Sequence, residues 1–132
     1  AKEMLRLLGE GWLVGVLIDQ NPRENGVPGT FFGKPCWHTI APALMAARSG
    51  APVHPAAMFR QKDGTYVLRY YPAVALTFTG VTRDDIQANA QRCQDALEAI
   101  IREKPGHWLW FHRRWKARPR LQEEWDARQR VK

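Results

Sequence analysis

An eight-residue run of almost wholly apolar side chains, WLVGVLID at positions 12–19, constrains the fold of this chain more than any other segment. Its length suits a β-strand, and its lack of polar alternation indicates that other layers cover both faces of that strand. The run ends at Asp19, and the stretch after it, NPRENGVPGT (21–30), is typical of a loop. Because ligands in layered α/β proteins bind at the carboxyl ends of strands, Asp19 lies where function is expected.

The remaining segments predict an α/β fold, a layered mixed sheet flanked by helices. The clearest helix covers 83–104, where Thr82 and Asp85 have the spacing of a capping box and Pro105 follows the end. Its apolar stripe consists of Ile86, Ala90, Cys93, Leu97, Ile100 and Ile101. We take residues 1–119 as the main domain and 120–132 as a polar tail or helix.

Weaker patterns predict the other elements. A short helix is expected over 2–8, and a second over 40–49, capped by Thr39 and stopped by Gly50. Strands are expected over 52–60 and 65–78, with a turn at KDG (62–64) between them and a break at Pro72. A last, loosely attached helix is expected over 121–130.

Charge and cysteine content narrow the class of protein. The chain has 132 residues, 45% of them hydrophobic, and a net charge of +7, which suits one folded domain with an anionic partner. No apolar run reaches the roughly 18 residues of a membrane-spanning helix. Cys36 and Cys93 lack the spacing of a metal or redox motif, so we expect two reduced thiols in the core.

Two segments offer candidate chemistry near the end of the apolar run. Asp19, followed by Gln20, is placed to contact a substrate or to orient a catalytic group, although an Asx turn explains it equally well. The loop GVPGTFFGKP (26–35) offers backbone N–H groups for a phosphate or oxyanion and two phenylalanines for an acyl slot. A structural turn with Phe31 and Phe32 as core rings is the competing interpretation. The two glycine motifs that bind nucleotides, G-x-x-x-x-G-K-[ST] and G-x-G-x-x-G, are both missing from this sequence.

The four histidines do not form an obvious catalytic motif. His38, His54, His107 and His112 all lack the acid at the fifth following position that completes the acyl-transfer pattern H-x-x-x-x-[DE]. His54 lies inside an apolar strand pattern and is expected to be a hydrogen-bonded core residue. Because the Cys and His residues are not clustered, no zinc site is predicted.

The segment HWLWFHRRWKARP (107–119) mixes aromatic and cationic side chains. Cations and rings together suit nucleic acid, although no signature of a DNA- or RNA-binding module is visible. Trp and Arg also suit the headgroup level of a membrane. In a third interpretation, alternating Trp108, Trp110 and His112 form a strand with one face in the core.

Together these segments resemble the lipid A biosynthesis lauroyl and myristoyl acyltransferases of the glycerolphosphate acyltransferase superfamily. The matching text is GVLIDQ at 15–20, GVPGTFFGKP at 26–35, GAPVHPAAMFR at 50–60 and WLWFHRRWKARP at 108–119. The resemblance implies O-acyl transfer from acyl carrier protein to a hydroxyl of a phosphorylated glucosamine disaccharide. It also implies a location at the cytoplasmic face of the bacterial inner membrane, and no metal or redox cofactor. Nucleic acid is not expected as a partner.

The resemblance also assigns residues. Asp19 and Gln20 match a block that borders the active site and helps to place the acceptor, and we take Asp19 as the catalytic candidate. Candidate substrate-binding residues are Gln20, Phe31, Phe32, Gly33, His54, Arg113, Arg114, Lys116 and Arg118. Val53, His54 and Pro55 match a strand beside the acyl pocket. Phe31–Gly33 stand where the superfamily has a phosphate-binding E-G-T-R block, and the missing Glu and Arg favour a hydrophobic or backbone role.

The family's His–acid motif and its membrane helix normally lie upstream of the D-Q block. We therefore expect this chain to be the carboxy-terminal part of such an enzyme, inactive alone, with a sheet incomplete at its amino-terminal side. Exposed strand edges would then allow a homodimer. The alternative is a non-catalytic membrane- or lipid-binding module.

Overall fold

The computed structural model describes residues 2–130, which form four helices and four strands. The order of elements confirms a mixed α/β protein. The elements are α1 (Lys2–Gly9), β1 (Gly26–Phe31), β2 (Lys34–Thr39), α2 (Ala41–Ser49), β3 (Ala56–Arg60), β4 (Tyr66–Tyr70), α3 (Arg83–Glu103), a 3-10 turn (Pro105–His107) and α4 (Pro119–Arg130). None of the helices within this range is long and apolar enough to cross a membrane.

The strands form two separate antiparallel pairs, β1 with β2 and β3 with β4, so the prediction of one mixed sheet is wrong for residues 2–130. The segment 26–30, predicted as loop, belongs to β1. Phe32 and Gly33 form the two-residue turn to β2, with φ of 50° and 70°, values that fit a type I′ hairpin. Pro28 is tolerated because, in the described part of the chain, β1 pairs on one side only.

The prediction of a buried strand over the apolar run 12–19 is wrong. Residues 12–18 have no strand assignment, and alternate side chains face solvent, with Leu13 76% and Leu17 79% exposed. Val14, Val16 and Ile18 are half-buried, and Gln94 Nε2 of α3 donates to the Ile18 carbonyl at 2.8 Å. Only one face of this segment is therefore covered within the described part of the chain.

Helix α3 organises the core and confirms the sequence prediction closely. Asp85 N donates to Thr82 Oγ1 at 3.1 Å and Thr82 N donates to Asp85 Oδ2 at 2.9 Å, which completes the capping box. These bonds and others from Thr79 lower the pKa of Asp85 to about 2. Five of the six stripe residues are buried, and Leu97 is half-buried.

The two cysteines are free and buried, as predicted. Burial raises the pKa of Cys93 to about 11, so its thiol stays protonated near neutral pH. Cys93 belongs to α3 and Cys36 to β2, so each of these elements contributes one buried thiol.

The other boundaries differ from prediction by a few residues. Strands β3 and β4 are shorter than expected, and β4 ends at Tyr70, before the predicted break at Pro72. Gly64 in the intervening turn has φ of 88°. Thr39 is one residue too early for the cap of α2, although its Oγ1 accepts from Ala41 N at 3.3 Å, and Gly50 ends that helix at φ 71°. Helix α4 contacts β1 and buries Leu121.

Candidate functional site

Asp19 is half-buried at the end of the apolar run 12–19, beside the aromatic–cationic segment 107–119. Its Oδ2 accepts a hydrogen bond of 3.3 Å from Nε1 of Trp108, a residue 89 positions away. Gln20 is exposed. The structure therefore brings together Asp19 and the aromatic–cationic segment, two features that the sequence singled out separately.

A groove of about 250 Å³ adjoins Asp19 and runs between residues 16–19 and 56–59, over the last turns of α3. Most of its lining is apolar, and the groove includes three polar side chains, Asp19, Lys104 and His107. The last two lie against buried Phe59. Lys104 Nζ is 5.1 Å from the Phe59 ring centroid, and the His107 ring centroid is 5.6 Å from it. An apolar groove with a few polar groups along it is the usual form of a site for a small amphipathic ligand.

Asn21, a residue that was not predicted as functional, holds the cationic segment, residues 112–118, against the end of the apolar run at Asp19. Its Nδ2 donates to the carbonyls of Lys116 at 2.7 Å and Arg113 at 3.2 Å, and its Oδ1 accepts from Arg118 Nε at 3.2 Å. Its backbone N–H donates to His112 Nε2 at 3.0 Å. Its only sequence signal is its position directly after Asp-Gln, because each of these partners is more than 90 residues away.

The four cationic side chains between residues 113 and 118 differ in their exposure to solvent. Arg113 and Lys116 are exposed, Arg118 is half-buried and also donates to the Asn21 carbonyl, and Arg114 is completely buried. Arg114 Nη1 donates to the Trp37 carbonyl at 2.6 Å, and Nη2 bonds to His38 Nδ1 at 2.7 Å and to Gln94 Oε1 at 3.3 Å. Arg114 is thus bound by protein groups on β2 and α3.

Burial lowers the pKa of Arg114, while interactions with Cys36 and Asp19 oppose that shift. A guanidinium nevertheless stays charged near neutral pH. The buried charge lies over the Phe31 ring, with Arg114 Cζ 5.0 Å from the ring centroid. Nε of Arg114 has no hydrogen-bond partner among residues 2–130.

His38 is fixed as a neutral imidazole. Because Arg114 can only donate, His38 Nδ1 accepts, and the ring proton is on Nε2, which lies 3.2 Å from Gln91 Oε1. Burial, and then the charge of Arg114, lower the pKa of His38 to about 4. Gly29 makes room for this arrangement, since a Cβ there would overlap both His38 Nε2 and Gln91 Oε1.

Phe31 and Phe32 belong to an aromatic cluster that also contains Trp108, Trp110 and Trp115. Phe31 is fully buried, and its carbonyl accepts from Trp115 Nε1 at 3.0 Å. The backbone N–H of Phe32 donates to Glu98 Oε1 at 2.6 Å, and Gly33 occupies the exposed second position of the hairpin turn. This turn therefore joins the β1–β2 hairpin to α3.

His54 does not occupy the core position expected from the sequence. It precedes β3, is exposed, and its Nδ1 lies 3.0 Å from the Tyr71 carbonyl. The expectation of a buried residue is wrong because the strand begins only at Ala56 and the chain before it lies at the surface. Val53 and Pro55 are half-buried, and they accept backbone hydrogen bonds from Val74 and Tyr71.

Comparison with known proteins identifies the family. A search among curated proteins finds no match to this chain. The family model of the bacterial lipid A biosynthesis acyltransferases matches residues 1–117, which includes Asp19, the β1–β2 hairpin and the segment up to Lys116. The chain therefore belongs to the bacterial lipid A biosynthesis acyltransferase family.

Proposed function

We propose that this chain is the carboxy-terminal part of an enzyme that moves a fatty acyl group from acyl carrier protein to a phosphorylated lipid A precursor. The reaction would take place at the cytoplasmic face of the bacterial inner membrane. The observation that carries the proposal is the family match over residues 1–117, together with an apolar groove that adjoins Asp19. Family membership supports an acyl donor and a lipid acceptor in general terms.

The groove suits an acyl chain because its walls are apolar along most of their length. Ile18, Phe59 and Ile100 contribute side chains from three different parts of the sequence. Asp19, Lys104 and His107 provide polar groups beside these apolar walls, so the reacting end of an acyl chain would meet them. We assign the acyl chain to this groove.

In the proposed reaction the acceptor hydroxyl oxygen attacks the thioester carbonyl carbon. A new ester bond forms and the carbon–sulfur bond breaks. The proton lost by the hydroxyl passes to the general base and from it to the departing carrier thiolate. Asp19 is proposed to position the acceptor hydroxyl, and its own orientation is supported by the bond from Trp108 Nε1. The general base would be the family's His–acid pair, supplied by an upstream segment that also completes a glycerolphosphate-acyltransferase-like sheet.

Contacts with phosphate are assigned to Arg113 and Lys116. Both side chains are exposed, and neither takes part in an ion pair among residues 2–130. Arg114 and Arg118 act as positioning residues in this proposal, since their side chains bond to protein groups. For Phe32 a hydrophobic role is favoured over phosphate binding, because Glu98 already accepts the Phe32 N–H. Gly33, which has no side chain, has a backbone role at the second position of the hairpin turn.

The test is an acyl-transfer assay with the full-length gene product, acyl carrier protein thioester and a tetra-acylated, phosphorylated acceptor. We expect an acceptor heavier by one acyl group in mass spectra, and no product from the 132-residue chain alone. An inert full-length protein that carries a His–acid pair would overturn the proposal. Product formed from acyl coenzyme A but not from the carrier thioester would overturn the assignment of the donor.

A second candidate function is a non-catalytic membrane- or lipid-binding module. The observation that favours it is the pair of exposed apolar side chains, Leu109 and Phe111, beside exposed cations. A full-length product without a His–acid pair that binds lipid and transfers no acyl group would support this function over the first.

A further inference from the structure

Leu109, Trp110 and Phe111 form a contiguous apolar turn on the surface. Their exposed fractions are 65%, 47% and 94%, and His112 N closes the turn with a 3.2 Å bond to the Leu109 carbonyl. Single exposed apolar residues are ordinary on protein surfaces. Three in succession, with a phenylalanine almost fully in water at the corner of a turn, indicate an interaction site.

Every second residue from 108 to 112 anchors the turn through a side-chain hydrogen bond. Trp108 Nε1 donates to Asp19 Oδ2 at 3.3 Å, and Trp110 Nε1 donates to the Pro105 carbonyl at 2.7 Å. His112 Nε2 accepts from Asn21 N at 3.0 Å. Leu109 and Phe111, between these anchors, project into solvent, while Trp110, itself 47% exposed, is held by its bond to the Pro105 carbonyl.

Positive charge lies beside this apolar turn. Arg113 continues the outward alternation and is exposed, as is Lys116. Arg102 of α3 has its Cζ 4.8 Å from the Phe32 ring centroid, and that ring is 5.6 Å from the ring of Trp110. A partner that covers Leu109 and Phe111 would therefore meet cations at the edge of the contact.

We propose that the turn 109–111 inserts into the interface of an anionic phospholipid bilayer. Leu109 and Phe111 enter the boundary between headgroups and acyl chains, and Arg113 and Lys116 meet lipid phosphates. A bilayer fits better than a protein surface, because a projecting apolar corner needs a matching pocket on a protein and none on a bilayer. The inference rests on the proposed function, which places a phosphorylated lipid acceptor in that bilayer.

The test is sedimentation of the chain with vesicles of phosphatidylethanolamine and phosphatidylglycerol. Two serine variants are compared: the double variant Leu109→Ser/Phe111→Ser, and Leu13→Ser as a control of the same residue type with comparable exposure. We expect the double variant to lower the partition coefficient about tenfold or more and the control to leave it within about twofold. Phe111→Trp should retain binding, because indole suits the membrane interface.

Three results would overturn the inference. The first is a wild-type chain that fails to sediment with anionic vesicles, and the second is a double variant, shown folded by circular dichroism, that binds as well as the wild type. Binding of acyl carrier protein that depends on Phe111, without vesicle binding, would assign the turn to a protein partner. Acyl transfer to a detergent-dispersed acceptor tests the proposed function separately, since Phe111→Ser should leave that rate unchanged.

Discussion

Arg114 Nη2 and His38 Nδ1 are 2.7 Å apart, and both side chains are completely buried. The bond joins the cationic segment to β2, and Gln94 brings α3 into the same cluster. A cation at the centre of the core gives the segment 107–118 one defined position, with Trp108 at Asp19 and His112 at Asn21. The candidate site therefore depends on a polar cluster that does not itself line the groove.

Replacement of Arg114 by Met should destabilise the protein strongly. The variant leaves the Trp37 carbonyl, His38 Nδ1 and Gln94 Oε1 without their donor in the core. We expect the free energy of unfolding, measured by urea denaturation, to fall by about 3 kcal/mol or more. Arg113→Met is the matched control, since Arg113 is exposed, and it should change that free energy by less than about 0.5 kcal/mol. Equal effects of the two variants would contradict a structural role for Arg114.

Stability should fall as the pH drops below the ordinary pKa of histidine, because His38 is neutral in the folded state. The pKa of His38 is about 4 when folded and 6.5 when exposed, so between these values the unfolded chain binds a proton that the folded chain does not. The contribution is fully present above pH 6.5 and is lost as the pH falls toward 4. By about pH 5 the loss should be about 2 kcal/mol.

The measurement is the free energy of unfolding at about pH 7 and about pH 5 for wild type, His38→Gln and His54→Gln. His38→Gln should lose most of the dependence, and His54→Gln, which changes an exposed side chain, should retain it. A wild-type slope that persists in His38→Gln would show that another group is responsible.

Gly29→Ala tests the packing between β1 and the His38–Gln91 pair. The added Cβ would overlap His38 Nε2, and the ring cannot turn away freely because Arg114 holds its other nitrogen. We expect a loss of about 1–3 kcal/mol in the free energy of unfolding. Gly15→Ala is the control, because apart from its chain neighbours no described residue has an atom within 4 Å of the added carbon, and it should be neutral or slightly stabilising.

Asn21→Ala should loosen the cationic segment. It removes the bonds from Nδ2 to the carbonyls of Arg113 and Lys116 and the bond from Arg118 to Oδ1. In hydrogen exchange followed by mass spectrometry, amides of residues 112–118 should exchange faster, while those of α3 change little. Gln20→Ala, at the exposed preceding position, serves as the control. An unchanged exchange rate in residues 112–118 would contradict the role assigned to Asn21.

The parts of the fold that are determined by residues close together in the sequence were predictable. The capping box of α3 is complete within Thr82–Asp85. Gly50 ends α2, and Gly64 lies in the turn between β3 and β4, each through its local backbone conformation. The β1–β2 hairpin was missed because glycines and Pro28 in its first strand resemble a loop. Its turn places Phe32 at φ 50°, and Glu98 of α3 binds the Phe32 N–H at that point. Such support from a distant helix leaves no local sequence signal.

Asp19 and the aromatic–cationic segment could be singled out from their residue types, but their burial could not be predicted. Asp19 and the segment 107–119 were singled out, and the structure joins them through Trp108. The sequence could not separate buried Arg114 from exposed Arg113, because adjacent cations look alike until the position of His38 is known. His54 shows the opposite error, since an apolar neighbourhood in the sequence did not become a buried neighbourhood in the fold.

The most direct measurement is the rate of acyl transfer by the full-length gene product carrying Asp19→Asn. Asparagine keeps one oxygen that can accept from Trp108 Nε1, removes the negative charge and replaces the second oxygen with an amide nitrogen. Glu123→Gln is the control, a carboxylate made neutral at an exposed position of α4. If Asp19 borders the active site, kcat/KM for the acceptor should fall about a hundredfold or more, with the control near the wild-type rate. An Asp19→Asn enzyme as active as the control would contradict the account.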